Sequence, residues 1–159
     1  MKVNIVCVGR IKEKYLVDGI EEFIKRLKPY CKLSIEEVVE TRINDNPSEA
    51  DIENVVNDEG EKLLSHIKKQ DFVIALDVAG KNINNHEYVR VVEKAMLNGY
   101  SSFVFVIGGS HGISKAVLER ANFKWSFSSL VFTHQMIRLL LLEQIYRGYK
   151  IMNNEPYHK

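Results

Sequence analysis

The chain has 159 residues, of which 45% are hydrophobic and 27% are charged, and its 22 Lys and Arg nearly balance its 21 Asp and Glu. This length and composition suit a single domain over residues 1–159 with its own hydrophobic core, and they argue against a second independent domain. No apolar run approaches the roughly 20 residues that cross a bilayer, and the apolar N-terminal stretch is too short for a secretory signal. We therefore expect a soluble, cytoplasmic protein.

In chain order, hydrophobic spacing and helix-end signals predict alternating strands and helices. The predicted elements are a strand at 2–8, a helix at 14–27, a strand at 32–39, a helix ending near 66, a strand at 71–77, a helix at 84–99, a strand at 102–107, a helix from 114, a short strand near 124–128 and a helix from about 133 to 149. For the second helix, Asn46 is predicted as the N-cap, Pro47 as the first helical residue and Glu49 as the capping-box glutamate. The pattern indicates an α/β fold, a parallel sheet with helices on both faces.

Composition adds two smaller points. The two cysteines, Cys7 and Cys31, are interpreted as buried hydrophobic residues rather than as a disulfide or a metal site, and no metal is predicted. Residues 1–80 carry 12 Lys and Arg against 16 Asp and Glu, whereas residues 81–159 carry 10 against 5. An anionic partner is therefore expected to meet the C-terminal half.

Two glycine-containing segments follow consecutive predicted strands, "LDVAGK" at 76–81 and "IGGSHGIS" at 107–114. Ligands of parallel α/β sheets bind beyond the carboxyl ends of the strands, where glycine lets the backbone approach a ligand closely. One such turn alone is more often a tight connection that binds nothing, but two on successive strands predict a pocket. A P-loop is excluded because no Lys-Ser/Thr follows the required glycine spacing.

A short-chain dehydrogenase is a tempting alternative, since "GGSHGI" resembles a cofactor turn and Tyr146 and Lys150 form a Y-x-x-x-K pattern. The layout opposes it, because a dinucleotide fold places its glycine turn after the first strand, with several strands to follow. Here only 47 residues follow Gly112. Tight binding of NADP would be the mark of that alternative.

The last predicted helix has apolar residues on more than one face, which is typical of a helix buried on all sides. In a small domain, packing against both its own sheet and a second subunit achieves this, so a homodimer built on this helix is predicted. Glu143 and Arg147 are spaced to form an i,i+4 pair. Arg138 then needs another partner, for which a ligand, a carboxylate across the dimer and an RNA phosphate all remain open.

Taken together, several motifs resemble the RlmH-type ribosomal RNA methyltransferases of the SPOUT class, along essentially the whole chain. The motifs are the "VGR" that ends the first strand, "LDVAGK", "IGGSHG", "SFSSLVFTHQMIRLLLLEQIYRGYKI" at 126–151 and the terminal "PYH". The resemblance implies a homodimer of minimal SPOUT domains, each with a C-terminal trefoil knot, which is a rare exception to the rule against knotted chains. It also implies S-adenosylmethionine as the cofactor. By motif, the cofactor-binding positions are Leu76, Gly108, Phe127, Ser128, Ser129, Leu130, Val131 and Phe132.

The implied substrate is a pseudouridine of the large-subunit ribosomal RNA, methylated at N3. Among the polar candidates, which include His134, we expect Arg138 to orient the base or a phosphate. We expect Tyr157 and His158 to close over the nucleotide, and the second subunit is one source of this tail. Because the basic excess is modest and no RNA-binding module is present, recognition is expected to need the assembled 70S ribosome rather than free RNA. The alternative of another class is a non-catalytic, ribosome-associated nucleotide-binding protein that acts in assembly.

Overall fold

The computed structural model describes residues 1–157, in which strands and helices alternate. The elements are β1 (Lys2–Val8), α1 (Lys14–Leu27), β2 (Lys32–Val38), α2 (Glu49–Ser65), β3 (Phe72–Asn82), α3 (Asn85–Leu97), β4 (Ser102–Ile107), α4 (Lys115–Arg120), β5 (Phe123–Ser126) and α5 (Met136–Met152). The order of elements is as predicted, and the boundaries of β1, α1 and β4 agree to the residue.

The five strands form one sheet in the order β2-β1-β4-β3-β5, and every neighbouring pair is parallel. This confirms the predicted parallel α/β fold. In the central pair, Ile5 of β1 lies beside Phe105 of β4. Because parallel strands end at the same edge, the segments that follow β1, β4 and β3 all emerge side by side.

The two faces of the sheet carry separate hydrophobic cores, because side chains alternate along each strand. On one face, residues such as Ile5 and Phe105 pack against α1, α3 and α5. On the other face, residues such as Val6 and Val106 pack against α2 and α4. The sheet is therefore covered on both sides, as its continuous apolar strands require.

α5 is the most enclosed helix of the fold. Every residue from 136 to 152 is buried or half-buried, and Leu141 and Leu142 are completely inaccessible. Glycine permits close approach on two sides: a Cβ on Gly148 would lie 2.6 Å from the ring of Tyr88 in α3, and one on Gly19 of α1 would lie 3.1 Å from Leu139. The predicted burial of this helix is thus achieved in part by α1 and α3 of the same chain.

The start of α2 differs from the prediction. Ser48, not Asn46, is the N-cap: its side chain accepts a hydrogen bond from the backbone N–H of Asp51, and the Asp51 carboxylate accepts one from the Ser48 N–H. The capping box is thus closed by Asp51 rather than by Glu49. Ser48 is the last residue before the helix with extended backbone, which the N-cap position requires.

Cys7 is buried and Cys31 half-buried, and both are free thiols. Burial raises the pKa of Cys7 to about 11, so its thiol stays protonated at neutral pH. Within residues 1–157, no group of His, Cys, Asp and Glu is arranged to hold a metal ion. None of the helices in this range has both the length and the hydropathy needed to span a membrane.

Candidate functional site

A cleft of about 690 Å³ opens at the carboxyl edge of the sheet. Its walls are the end of β3 at 76–78, the loop after β4 at 107–113, and the segment 127–135 that joins β5 to α5. Glu13, Tyr15 and Leu16, at the start of α1, complete it. The volume lies within the range of small-molecule sites. The predicted pocket beyond the carboxyl ends of successive strands is confirmed.

The glycine loop, residues 108–112, leaves no room for a side chain at its first two positions. A Cβ on Gly108 would lie 2.5 Å from the carbonyl oxygen of Gly112, and one on Gly109 would lie 2.7 Å from Oε2 of Glu59. Gly112 has a φ of 98°, a conformation that other residues rarely adopt. The loop closes on itself through the Gly112 N–H, which donates to the Gly109 carbonyl at 3.1 Å. Its bare backbone can therefore face a ligand directly.

The positions expected to bind the cofactor come together at this cleft. Of the eight, all except Ser129 line it: Leu76, Gly108, Phe127, Ser128, Leu130, Val131 and Phe132. The segment 127–132 is held by a local contact, because the Ser128 hydroxyl accepts a hydrogen bond from the Leu130 N–H at 3.0 Å. Residues more than 50 positions apart in the sequence thus meet at one site. Their role in binding a cofactor stays a prediction.

Large apolar side chains around the cleft are exposed. Leu130 is 70% exposed, Val131 84% and Tyr15 64%, and Val78 and Phe132 are also exposed. Isolated apolar residues are common on protein surfaces, but several around one opening indicate a surface that binds something. We call this set of five residues the apolar rim.

"LDVAGK" is not the strand-to-helix turn that the sequence suggested. β3 continues through it to Asn82, and its pairing with β5 shifts register so that both Leu76 and Lys81 lie beside Trp125. Gly80 is needed where the two strands crowd together, since a Cβ there would lie 2.7 Å from the backbone of Lys124. The register skips residues 77–80, a feature that we call the bulge of β3, and residues 76–78 line the cleft there.

Arg138 has found its partners within its own chain. The guanidinium donates to Oε2 of Glu37 at 2.7 Å and to the carbonyl oxygen of Gly9 at 3.0 Å, and only 3% of the side chain is exposed. It therefore joins α5 to the ends of β1 and β2. Arg138 is not among the residues that line the cleft.

His134 does line the cleft. Its Nε2 would be 3.3 Å from a Cβ at Gly9, a residue with a φ of 83°. His134 and Arg138 both contact this short turn after β1. The start of α5 and the end of β1 are thus fixed to each other next to the cleft.

Tyr157 packs against α5 rather than in the cleft of its own chain. Its hydroxyl donates to Oε1 of Glu143 at 3.1 Å, its ring meets that of Tyr146 edge-on, and the Arg147 guanidinium lies 4.5 Å from its ring centroid. Burial, with the nearby Glu143 carboxylate, raises the pKa of Tyr157, so the phenol remains a neutral donor. The predicted Glu143–Arg147 ion pair is confirmed at 2.5 Å. His158, the other expected tail residue, lies outside the described residues.

Two carboxylates of the cleft, Glu13 and Asp77, were not anticipated from the sequence. Glu13 comes from the start of α1, which reaches the cleft because β1 lies directly beside β4. The rule that ligands bind at the carboxyl ends of neighbouring strands would have included this position had the strand order been known. Glu59 beneath the glycine loop was also missed, because it lies in the middle of an amphipathic helix and carries no motif.

Comparisons with known proteins agree with this architecture. A family model described as "Predicted SPOUT methyltransferase" matches residues 1–158. A protein named ribosomal RNA large subunit methyltransferase H from Carboxydothermus hydrogenoformans is 50% identical over 159 residues, covering all of both chains. Proteins of the same name from Halothermothrix orenii and Clostridium beijerinckii are 50% and 49% identical, again over the full length of both chains.

Among solved structures, a probable methylase family protein from Haemophilus influenzae Rd KW20 is similar in fold, with a TM-score of 0.55. The similarity covers 99% of this chain and 70% of that one, at 13% sequence identity. At that identity the match concerns the fold alone. It agrees with the parallel sheet and helical layers described above.

Proposed function

The chain belongs to the SPOUT methyltransferase family, and on that premise we propose that it methylates N3 of a pseudouridine in large-subunit ribosomal RNA, using S-adenosylmethionine. The transfer of a methyl group follows from the family, and ribosomal RNA as the acceptor is supported by the names of the full-length relatives. The proposal that S-adenosylmethionine is the donor is supported by the cleft, in which the backbone of the glycine loop faces the segment 127–132.

The residues of the cleft suit this methyl donor. Apolar side chains such as Leu76 and Phe127 offer surfaces for an adenine ring, and the backbone of the glycine loop can approach polar atoms of the donor. Glu13 and Asp77 provide carboxylates for its ammonium group or its ribose hydroxyls. None of these residues forms the Lys-containing phosphate loop that a nucleoside triphosphate would need. When bound, S-adenosylmethionine supplies an electrophilic methyl group on a positively charged sulfur.

The chain's own residues then have three tasks: to orient the base, to exclude water and to help remove the proton that N3 loses when it takes the methyl group. We assign the orientation of the base or a phosphate to Arg138. In the free chain its guanidinium is bound to Glu37, so substrate contact requires that pair to open or the arginine to act through Gly9 and the turn beside the cleft. We assign closure over the nucleotide to Tyr157 and His158.

We further propose that Tyr157 and His158 act on the cleft of the partner in a homodimer. Tyr157 is anchored on the outer part of α5 through Glu143 and Tyr146, rather than at the cleft of its own chain. The apolar rim offers a surface that a second copy would cover. The trefoil knot around the segment 127–135 remains part of this proposal.

The proposed substrate is the assembled 70S ribosome in the cytoplasm. Binding to free RNA relies on many phosphate contacts, and the net charge of +1 gives little long-range attraction to them. A shaped ribosomal surface can supply the missing contacts through proteins and folded RNA. Recognition by shape therefore fits this chain better than recognition of extended RNA.

The test is transfer of radiolabelled methyl from S-adenosylmethionine to 70S ribosomes and to protein-free ribosomal RNA, both from cells that lack the gene. We expect label in the large-subunit RNA of ribosomes only, identified as N3-methylpseudouridine by nucleoside mass spectrometry. Label at another nucleoside would overturn the N3 assignment. Binding to ribosomes without any label would favour the non-catalytic assembly protein.

A pair of glycine variants links the activity to the cleft. In Gly108→Ala the new Cβ would lie 2.5 Å from the Gly112 carbonyl oxygen, so we expect loss of donor binding and of methyl transfer. Gly99→Ala is the control for loss of stability alone, because Gly99 lies outside the cleft and its φ of 90° strains any side chain, so this variant should be less stable but should bind the donor normally. Unimpaired binding by Gly108→Ala, measured by calorimetric titration with S-adenosylmethionine, would place the donor elsewhere.

A further inference from the structure

Glu59 is a buried carboxylate with an incomplete set of partners. It lies in α2 and is only 3% exposed. One oxygen, Oε1, accepts a hydrogen bond from the backbone N–H of Thr41 at 3.1 Å. The other, Oε2, has no hydrogen-bond partner among the described residues. A buried carboxylate oxygen without a partner is costly, and its retention calls for an explanation.

The unpartnered oxygen lies directly under the glycine loop. A Cβ on Gly109 would be 2.7 Å from Oε2 of Glu59, closer than it would be to Val8 on the sheet, at 3.1 Å. A side chain on Gly109 would therefore meet both Val8 of β1 and this carboxyl group. Glu59 forms the floor of the loop on the side away from the cleft.

The helix that carries Glu59 is held against this region at the next residue. A Cβ on Gly60 would overlap the hydroxyl oxygen of Ser114, the residue that caps α4 two positions after the glycine loop. Gly60 thus brings the α2 backbone against the end of the loop. The backbone that carries Glu59 cannot move away from Gly109 without breaking this contact.

We propose that Glu59 is a positioning residue for the methyl-donor cleft. Its carboxyl group supports the glycine loop from below and fixes the backbone of Gly108 and Gly109 in the form that receives the donor. The proposal rests on the proposed function, in which this loop contacts S-adenosylmethionine. Glu59 itself does not line the cleft, so it acts on the donor through the loop.

The contact between Glu59 and Gly109 predicts a specific coupling between substitutions. Gly109→Ala should weaken donor binding, because its Cβ has no room beside Oε2. In a Glu59→Ala background that room exists, so adding Gly109→Ala should cost much less than it does in the wild-type protein. Substitutions at residues in direct contact are expected to be non-additive in this way.

The test measures the Kd of S-adenosylmethionine by calorimetry for the full-length wild type, Glu59→Ala, Glu59→Gln and Glu61→Ala, at a temperature where each is folded. We expect Glu59→Ala to weaken binding by about tenfold or more, as for loss of a buried polar group that holds its neighbours in place. Glu59→Gln keeps the shape and the acceptor for Thr41, and it should stay within about threefold of wild type. Glu61→Ala, at an exposed position on the same helix, is the control and should bind normally.

Hydrogen–deuterium exchange of the free proteins supplies a second readout. We expect residues 108–112 to exchange faster in Glu59→Ala while the strands keep their protection, which a general loss of stability would not produce. Unchanged Kd and unchanged exchange in Glu59→Ala would overturn the positioning role. If the wild-type protein itself fails to bind the donor, the proposed function fails, and the exchange result still reports whether Glu59 orders the loop.

Discussion

Glu59 and Arg138 are almost equally buried, at 3% and 2% exposure, but their surroundings differ. The charge of Arg138 is balanced within the chain by an ion-pair partner and a carbonyl acceptor, and only its Nε lacks a hydrogen-bond partner among the described residues. Glu59 has one backbone donor on one oxygen and none on the other among the described residues. The arginine therefore joins elements together, whereas the ionised glutamate carries an electrostatic cost to the stability of the fold beside the glycine loop.

This cost should appear in the pH dependence of stability. Burial raises the pKa of Glu59, as does Glu40, while the Thr41 N–H, Lys62 and His111 oppose the shift without cancelling it. A carboxyl group with a raised folded-state pKa is stabilising when protonated, and that contribution is lost as pH rises through the folded pKa. Glu59→Gln should therefore gain stability over wild type as the pH rises from about 4 to 7.

Urea unfolding of both proteins across that pH range would measure this difference. Glu61→Gln, an exposed change on the same helix, is the control for removal of a negative charge. A difference that stays constant or shrinks with rising pH for Glu59→Gln would contradict the raised pKa.

At the scale of single elements, local signals located helices better than they located irregular strands. The spacing of apolar residues was sufficient for α1, and the helix predicted at 84–99 is α3 at Asn85–Leu97, whose start the structure shows to be an Asn84 N-cap with a Glu87 capping box. The bulge in β3 was beyond prediction, because it arises from pairing with β5, more than 40 residues away. The start predicted for α2 at Asn46 was wrong by two residues, because the Ser48 cap with its Asp51 box was recognised only from the backbone geometry.

The cap of α2 gives a direct test at this scale. Ser48→Ala removes the side-chain acceptor of the Asp51 N–H and should reduce the free energy of unfolding by about 1 kcal/mol. Asn46→Ala, two residues earlier at an exposed position, should have almost no effect. Equal losses, measured by urea unfolding, would mean that Asn46 shares the capping role.

The bulge of β3 gives a second test. Gly80→Ala places a Cβ 2.7 Å from the backbone of Lys124, which cannot move away as a side chain would, and overpacking of this kind costs about 1–3 kcal/mol. Since residues 76–78 line the cleft at the bulge, donor affinity should fall as well. Ala79→Ser, at the exposed neighbouring position, controls for added atoms. Normal stability and affinity in Gly80→Ala would show that the bulge tolerates a side chain.

At the scale of the whole molecule, the sequence sufficed for the layers of the fold because buried strands and amphipathic helices alternate without interruption. It could not supply the strand order, which decides that α1 contributes to the cleft. It also placed the partner of Arg138 outside the chain, because Glu37 is 101 residues away and no local pattern joins them. The homodimer predicted from α5 does not depend on the strand order and has to be tested separately.

The proposed dimer can be tested on α5. The buried residues 138, 141, 142, 145 and 149 mark one side of the helix, and the helical period places Leu140 on the other side. We expect light scattering to give twice the chain mass of 18.3 kDa for the wild type, and a monomer for Leu140→Asp. Leu97→Asp, at an 89% exposed site on α3, should stay dimeric. A monomeric wild-type protein would exclude the proposed partner tail.

The strand order also has a consequence for synthesis on the ribosome. β1 is made first, yet its central neighbour β4 is completed only at residue 107. At about 5–20 residues per second, the interval is about 5–20 s, during which β1 can pair only with β2. The nascent chain therefore carries a long-lived open strand edge, which is a site for mispairing and for chaperone binding. Truncated chains ending before β4 should be insoluble, whereas the finished chain has this edge sealed in the middle of the sheet.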